Sequence, residues 1–82
     1  LAIIHENNNL CGIFTDGDLR RLFLSSRDIS NVQVKDVMSA NPLTIAKDTL
    51  MIDAKKKMIE SKIQALVVTD NKNYIQGIIQ IF

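Results

Sequence analysis

The 82-residue sequence has one cysteine, one histidine, one proline and three glycines, and it lacks a long apolar run. A single cysteine, Cys11, excludes an internal disulfide and indicates a reducing compartment, the cytoplasm. One histidine beside one cysteine argues against a structural zinc site. Since no apolar stretch approaches the ~18 residues of a membrane span, the sequence predicts no membrane association.

Neither sign of charge dominates the sequence. Ten basic and nine acidic residues give a formal charge of +1, so there is no strong positive field to attract a nucleic acid. The sequence also lacks a P-loop, a dinucleotide fingerprint, a nucleophile elbow and a metal-spaced pair of ligands. We therefore expect no catalytic residue, no metal, no required cofactor and no nucleic-acid partner, and we expect that this chain is not an enzyme by itself.

Two segments of the chain repeat one pattern. An apolar run, an asparagine-rich turn and a second apolar run occupy residues 1–14 and recur at 66–79, with a gapless offset of 65 residues that aligns Gly12 with Gly77. Each segment predicts a β-hairpin, and the repeat predicts two similar small sheets. Both ends of the sequence lie inside apolar runs, so we expect it to be a piece of a longer protein.

A first helix is predicted from Thr15 to about Ser25, because Leu19, Leu22 and Phe23 fall on one face at helical spacing. The interval that follows lacks this periodicity and contains the only proline. It is predicted as a polar connector, a short helical turn and a short strand, at residues 25–31, 34–38 and 43–45.

A second helix is predicted to begin after a cap at Asp48 or Thr49 and to run to about Ser61. Ile52 and Ile59 fall outside its main apolar stripe, so we expect them to contact a surface beyond the core of their own unit. Because so short a chain buries little surface, we also expect a homodimer. The main stripe consists of Leu50, Met51, Ala54 and Met58.

The residues with the most chemical potential lie between Gly12 and Arg21. Thr15 and Asp18 are spaced as the two members of a capping box, in which each side chain bonds the other's backbone N–H. The same two residues also suit a ligand, because a helix N-terminus attracts phosphate and a carboxylate accepts from ribose hydroxyls. Arg20 and Arg21 point about 100° apart, so at most one of them is expected to face an anion.

The repeat and the stretch from Gly12 to Arg21 together resemble the CBS domain, a small β-α-β-β-α unit that occurs in tandem pairs. The resemblance implies an α+β fold of two small sheets flanked by helices, with pseudo-twofold symmetry and truncated at both ends. Residues 1–30 would be the C-terminal part of a first CBS repeat plus a connector, and residues 31–82 a second repeat without its final helix. Residues 12–21 further resemble the CBS pair that follows the sugar-isomerase domain in bacterial arabinose-5-phosphate isomerases.

The resemblance implies a regulatory module of an enzyme that interconverts ribulose 5-phosphate and arabinose 5-phosphate for Kdo and lipopolysaccharide synthesis. The upstream isomerase domain would then be a partner, and an adenosine or cytidine nucleotide or a nucleotide-sugar would be the ligand. The second half has Gln80 in place of the motif's hydroxyl residue and stops at Phe82 before the acidic position, so we expect at most one full motif. The ligand-binding residues implied are Gly12, Thr15, Asp18 and Arg21, with Leu43, Thr44, Gln64 and Ala65 near the base.

Two alternatives remain open at this point. The chain is either such a ligand-binding module or a purely structural module that assembles an oligomer and binds nothing small. Thr15 and Asp18 favour the first alternative, whereas Ile52 and Ile59 favour the second. A CBS pair from another enzyme or from a transporter would fit the same residues.

Overall fold

A computed structural model describes residues 1–80 of the chain. By contacts between residues, the chain divides into two compact units, Leu1–Asn41 and a second that begins at Pro42. No helix within residues 1–80 is long and apolar enough to cross a membrane. The elements are β1 (Ala2–Glu6), β2 (Asn9–Phe14), α1 (Asp16–Leu24), a 3-10 turn (Ile29–Asn31), α2 (Val34–Val37), β3 (Ser39–Ala40), β4 (Thr44–Ile45), α3 (Met51–Ser61), β5 (Ala65–Thr69) and β6 (Ile75–Gln80).

The first unit contains an antiparallel sheet in the order β1-β2-β3. Its hairpin turns at Asn7 and Asn8, whose φ angles of 51° and 65° lie in the left-handed region that asparagine tolerates. The two-residue strand β3 then places Ala40 opposite Gly12 and Ser39 opposite Ile13. The sequence predicted the hairpin correctly and did not predict β3, because two residues carry no alternation to detect.

The second unit contains a sheet in the order β4-β5-β6. The parallel strands β4 and β5 are joined through α3, as parallel neighbours require. The core of this unit lies between α3 and the sheet, where Ala54, Met58 and Leu66 are buried. The half-buried side chains packed against this core are Ile45, Ile63 and Ile79.

The two hairpins share a bulge at the same place relative to their glycines. Ile4 lies opposite Gly12 and the register shifts after it; Val68 lies opposite Gly77 and the register shifts after it in the same way. Ile4 and Val68 are therefore equivalent, at an offset of 64 residues, although the glycines are 65 residues apart. The gapless alignment predicted from the sequence is wrong by one residue in the first strand, because the second turn is one residue longer.

The helices agree with the sequence in position and differ in detail. Helix α1 begins after Thr15 as predicted. Helix α3 begins after Leu50, which offers no side-chain cap; the predicted caps Asp48 and Thr49 are wrong, because both residues lie in a turn closed by a bond from the Thr49 N–H to the Ala46 carbonyl. A polar residue before an apolar run did not identify the cap here.

The apolar helix faces are less buried than the periodicity predicted. On α1, Leu22 is half-buried, whereas Leu19 and Phe23 are exposed. On α3, Ala54 and Met58 are buried as predicted, whereas Leu50 and Met51 are exposed because they lie at the start of the helix. Ile52 and Ile59 are 73% and 63% exposed, so neither belongs to the core of its unit, as predicted. Their contact with a further surface stays a prediction.

Candidate functional site

The start of α1 is a closed pair of hydrogen bonds between Thr15 and Asp18. The Thr15 hydroxyl accepts from the Asp18 N–H at 3.2 Å, and the Asp18 carboxylate accepts from the Thr15 N–H at 2.8 Å. The Thr15 hydroxyl also donates to Oδ2 of Asp18 at 3.0 Å. This is the capping box predicted from the spacing, and the shorter aspartate completes it as a glutamate would.

Two further side chains reach the same carboxylate. Arg21, one turn along α1, donates from Nη2 to Oδ1 of Asp18 at 2.5 Å. Ser39, on β3, donates to Oδ1 at 3.0 Å and to Oδ2 at 3.2 Å. Of the two adjacent arginines, Arg21 is therefore the one that faces the predicted site, while Arg20 is exposed. Ser39 was missed by sequence reasoning, because it is 21 residues from Asp18 and nothing in its surroundings marks it.

Gly12 is required because β3 passes very close to it. A Cβ at this position would lie 2.7 Å from the Ser39 carbonyl oxygen and 2.7 Å from Sδ of Met38. The absence of a side chain thus lets β3 pair with β2 and brings the Ser39 hydroxyl to Asp18. Gly12 acts on the site through Ser39, and Gly77 has no such neighbour within 4 Å among the described residues.

Asp18 is ionised at neutral pH although it is only 6% exposed. Burial by itself raises the pKa of this carboxyl, but the bonds from the Thr15 N–H, Arg21, Ser39 and the Thr15 hydroxyl together lower the pKa below its ordinary value of 3.8. The site therefore presents a fixed negative charge that accepts hydrogen bonds and does not act as an acid near neutral pH. This suits recognition of hydroxyl groups better than proton transfer.

We expect the free energy of unfolding to depend on Asp18 in acid. Because the folded-state pKa lies below the unfolded one, the stabilisation is complete above the unfolded pKa, near 4, and is lost as the pH falls through the folded pKa. Urea unfolding between pH 2 and 7 should show this loss in the wild type and a smaller one in Asp18→Asn. The control Asp16→Asn removes a charge from the same helical turn, and it should keep the wild-type profile; equal profiles for all three proteins would contradict the assignment.

A small cavity opens beside this carboxylate within the first unit. Its volume is about 200 Å³, enough for several waters or a small polar group. Arginines and aspartates of opposite charge face it, so it is polar without a strong net charge. Its lining residues are Asp18, Arg21, Leu22, Ser25, Arg27, Asp36 and Val37. No group of three or more potential metal ligands exists within residues 1–80.

The residues that the family resemblance assigned to the base lie in the second unit. Thr44 is in β4 opposite Val67 of β5, and its carbonyl accepts from Nζ of Lys57 at 2.7 Å. Ala65 begins β5 at the same edge of the sheet, and Leu43 and Gln64 directly precede the two strands and are exposed. Their role stays a prediction. Gln80 ends β6, and the last position of the second motif, Phe82, lies outside the described residues.

Comparison with known proteins identifies the family. The model of the CBS domain matches residues 34–81, more than half of the chain. The arabinose 5-phosphate isomerase KdsD of Francisella tularensis is 44% identical over 78 residues, which are 95% of this chain and 24% of that protein. The chain thus spans about a quarter of this relative.

Solved structures share the fold. The CBS domain pair of protein MJ0100, in complex with 5′-methylthioadenosine and S-adenosyl-L-methionine, matches 98% of this chain and 61% of its own with a TM-score of 0.82 at 24% identity. CBSX2 in complex with AMP matches 94% of this chain and 60% of its own with a TM-score of 0.75 at 27% identity. These matches confirm the α+β fold that the sequence predicted. The chain belongs to the CBS domain family.

Proposed function

We propose that this chain is a ligand-binding regulatory module of a sugar-phosphate isomerase that interconverts arabinose 5-phosphate and ribulose 5-phosphate. The 44% identity to an arabinose 5-phosphate isomerase over nearly the whole chain supports this parent. The isomerisation would belong to an upstream domain, since residues 1–80 hold no arrangement of a nucleophile with a base. The parent's place in Kdo and lipopolysaccharide synthesis follows from that activity, and its location would be the cytoplasm.

The ligand we propose is an adenosine nucleotide. Two proteins of the same fold carry adenosine compounds, AMP in one and S-adenosyl-L-methionine with 5′-methylthioadenosine in the other. The observation that carries the proposal is the buried, ionised carboxylate of Asp18 beside Thr15 at the start of α1. A carboxylate in this state accepts from both hydroxyls of a ribose, and charge-assisted bonds of this kind are the strong ones. A cytidine nucleotide or nucleotide-sugar offers the same ribose, so the experiment below includes both.

The roles of the site residues follow from their chemistry. Asp18 would hold the ribose hydroxyls, and Thr15 at the helix N-terminus would approach the phosphate. Arg21 would supply the positive charge, while Gly12 keeps β3 and Ser39 in place. The base would lie near four residues of the second unit, Leu43, Thr44, Gln64 and Ala65.

Replacing Asp18 by Asn should lower the affinity for the nucleotide by about tenfold to a hundredfold. Asn keeps the shape and one acceptor but removes the charge, so about 1.5–3 kcal/mol of charge-assisted bonding is lost. Calorimetric titration of the wild type and the variant with AMP, ATP, CMP and CMP-Kdo measures this loss. The variant must first show the circular dichroism of the wild type.

The matched control is Asp16→Asn, which removes an exposed carboxylate from the same turn of α1. Its affinity should equal that of the wild type. Thr15→Ala does not discriminate, because loss of the cap lowers stability by about 1 kcal/mol with or without a ligand. Equal affinities in the wild type and Asp18→Asn would refute the role of the carboxylate, and a folded wild type that binds none of the four nucleotides would refute the nucleotide site.

The second candidate function is assembly of the parent's oligomer, and the exposed isoleucines of α3 favour it. Ile52 and Ile59 lie two turns apart on a surface with no role in the unit's core. A homodimer formed through this face would cover them. Sedimentation equilibrium of the chain at micromolar concentration tests it, and a monomer would count against it.

A further inference from the structure

The carboxylate of Asp18 has no vacant place for a ligand hydroxyl. Oδ2 accepts from the Thr15 N–H, the Thr15 hydroxyl and Ser39, and Oδ1 accepts from Arg21 and Ser39. These are five contacts on a group with about four lone-pair positions. With a side chain only 5% exposed, Asp18 is also covered. A ribose hydroxyl therefore binds here only if one of the present donors leaves.

Arg21 is the donor that can leave at least cost. The Thr15 donors are fixed by the cap and by the backbone of α1, and Ser39 is held by the pairing of β3 with Gly12. Arg21, by contrast, reaches Asp18 with a long side chain that is 71% exposed. An exposed guanidinium exchanges one partner for another without any movement of the backbone. Its departure would uncover Oδ1 of Asp18 toward the solvent.

A released Arg21 has a second partner if the ligand carries a phosphate. Its Nη1 lies over the first turn of α1, 3.4 Å from where a Cβ of Gly17 would stand. The same turn carries the carboxylates of Asp16 and Asp18, which repel an anion and offset the attraction of the helix N-terminus. A phosphate beside this turn therefore needs a cation, and the fork of Arg21 matches its geometry.

We propose that Arg21 and a ligand hydroxyl compete for Oδ1 of Asp18, and that the displaced guanidinium binds the ligand's phosphate, which makes Arg21 the residue that selects nucleotides over nucleosides. This inference rests on the proposed function. A nucleoside gains the carboxylate but breaks the Asp18–Arg21 pair without replacing it. A nucleotide breaks the same pair and forms another with its phosphate, so it loses little.

The test is the affinity of Arg21→Met for adenosine and for AMP, measured by calorimetric titration. Met keeps much of the apolar stem and removes both the charge and the donors. Adenosine should bind the variant more tightly than the wild type, because the competitor is gone. The ratio of the AMP affinity to the adenosine affinity should fall by about tenfold or more, since a bond between charged groups is lost. Arg20→Met, one residue away and exposed, should keep both wild-type affinities.

Each outcome decides the inference. It holds if adenosine binds more tightly and the ratio falls in Arg21→Met but not in Arg20→Met. Unchanged or weaker binding of adenosine overturns the competition, and the proposed nucleotide site still stands in that case. A wild type that binds neither compound removes the nucleotide site and this inference with it. If Arg21→Met melts at a lower temperature than the wild type, Arg21→Gln repeats the comparison with a polar side chain.

Discussion

Replacing Gly12 by Ala is expected to lower the free energy of unfolding by about 1–3 kcal/mol. The added Cβ would stand 2.7 Å from Sδ of Met38 and 2.7 Å from the carbonyl oxygen of Ser39. The end of a methionine side chain moves easily, but the Ser39 carbonyl is backbone and moves only if β3 separates from β2. Because Ser39 also donates to Asp18, nucleotide affinity should fall together with stability. Urea unfolding and calorimetric titration measure the two effects.

The repeat supplies a matched control in Gly77→Ala. Gly77 lies opposite Val68 in the equivalent place of the second hairpin, yet an added Cβ there meets nothing within 4 Å among the described residues. Neither glycine has a positive φ, so alanine causes no backbone strain at either position. We expect Gly77→Ala to leave stability unchanged or to raise it by up to about 1 kcal/mol. Equal losses in the two variants would show that the close approach of β3 is not the cause.

Replacing Leu66 by Ala should destabilise the chain by about 2–5 kcal/mol. Leu66 is fully buried in β5 and packs with Ala54 and Met58 of α3, so the variant loses apolar burial and leaves a cavity. A chain of 82 residues has a total stability of roughly 4–12 kcal/mol at about 0.05–0.15 kcal/mol per residue. The variant should therefore be partly or wholly unfolded at 37 °C, as thermal melting followed by circular dichroism would show.

Ile78→Ala is the control for this core prediction. Ile78 lies on β6, the strand next to β5, and is 40% exposed. Removal of its side chain should cost much less than removal of the Leu66 side chain, because solvent already reaches it. A loss as large as that of Leu66→Ala would mean that the core of this unit extends to the face of β6 that carries Ile78.

The features that were predictable from the sequence are local ones. Two adjacent asparagines between apolar runs identified the turn of the first hairpin, because they accept positive φ where most residues do not. The spacing of Thr15 and Asp18 identified the cap of α1, because both partners of the capping box lie within one turn of the helix. Each of these structures is determined by residues that are neighbours in the chain.

The features that were missed depend on contacts distant in the chain. Ser39 reaches Asp18 across 21 residues, and a lone serine after a short helix gives no sign of its partner. The bulges that set the offset between the hairpins belong to strand pairing rather than to either strand alone. The exposed start of α3 at Leu50 and Met51 reflects what packs on the helix, which periodicity does not report.

The position of Ser39 has a consequence for how such modules recombine. The part of the chain that matches the CBS family begins at residue 34, yet the compact unit that contains Asp18 ends at Asn41. A chimera joined at residue 34 would keep Thr15, Asp18 and Arg21 from one parent and take the strand that supports Asp18 from the other. A donor with alanine in place of Ser39 would loosen the carboxylate without altering any residue of the inherited motif. Ligand affinity in tandem modules can therefore change by exchange of the neighbouring repeat alone.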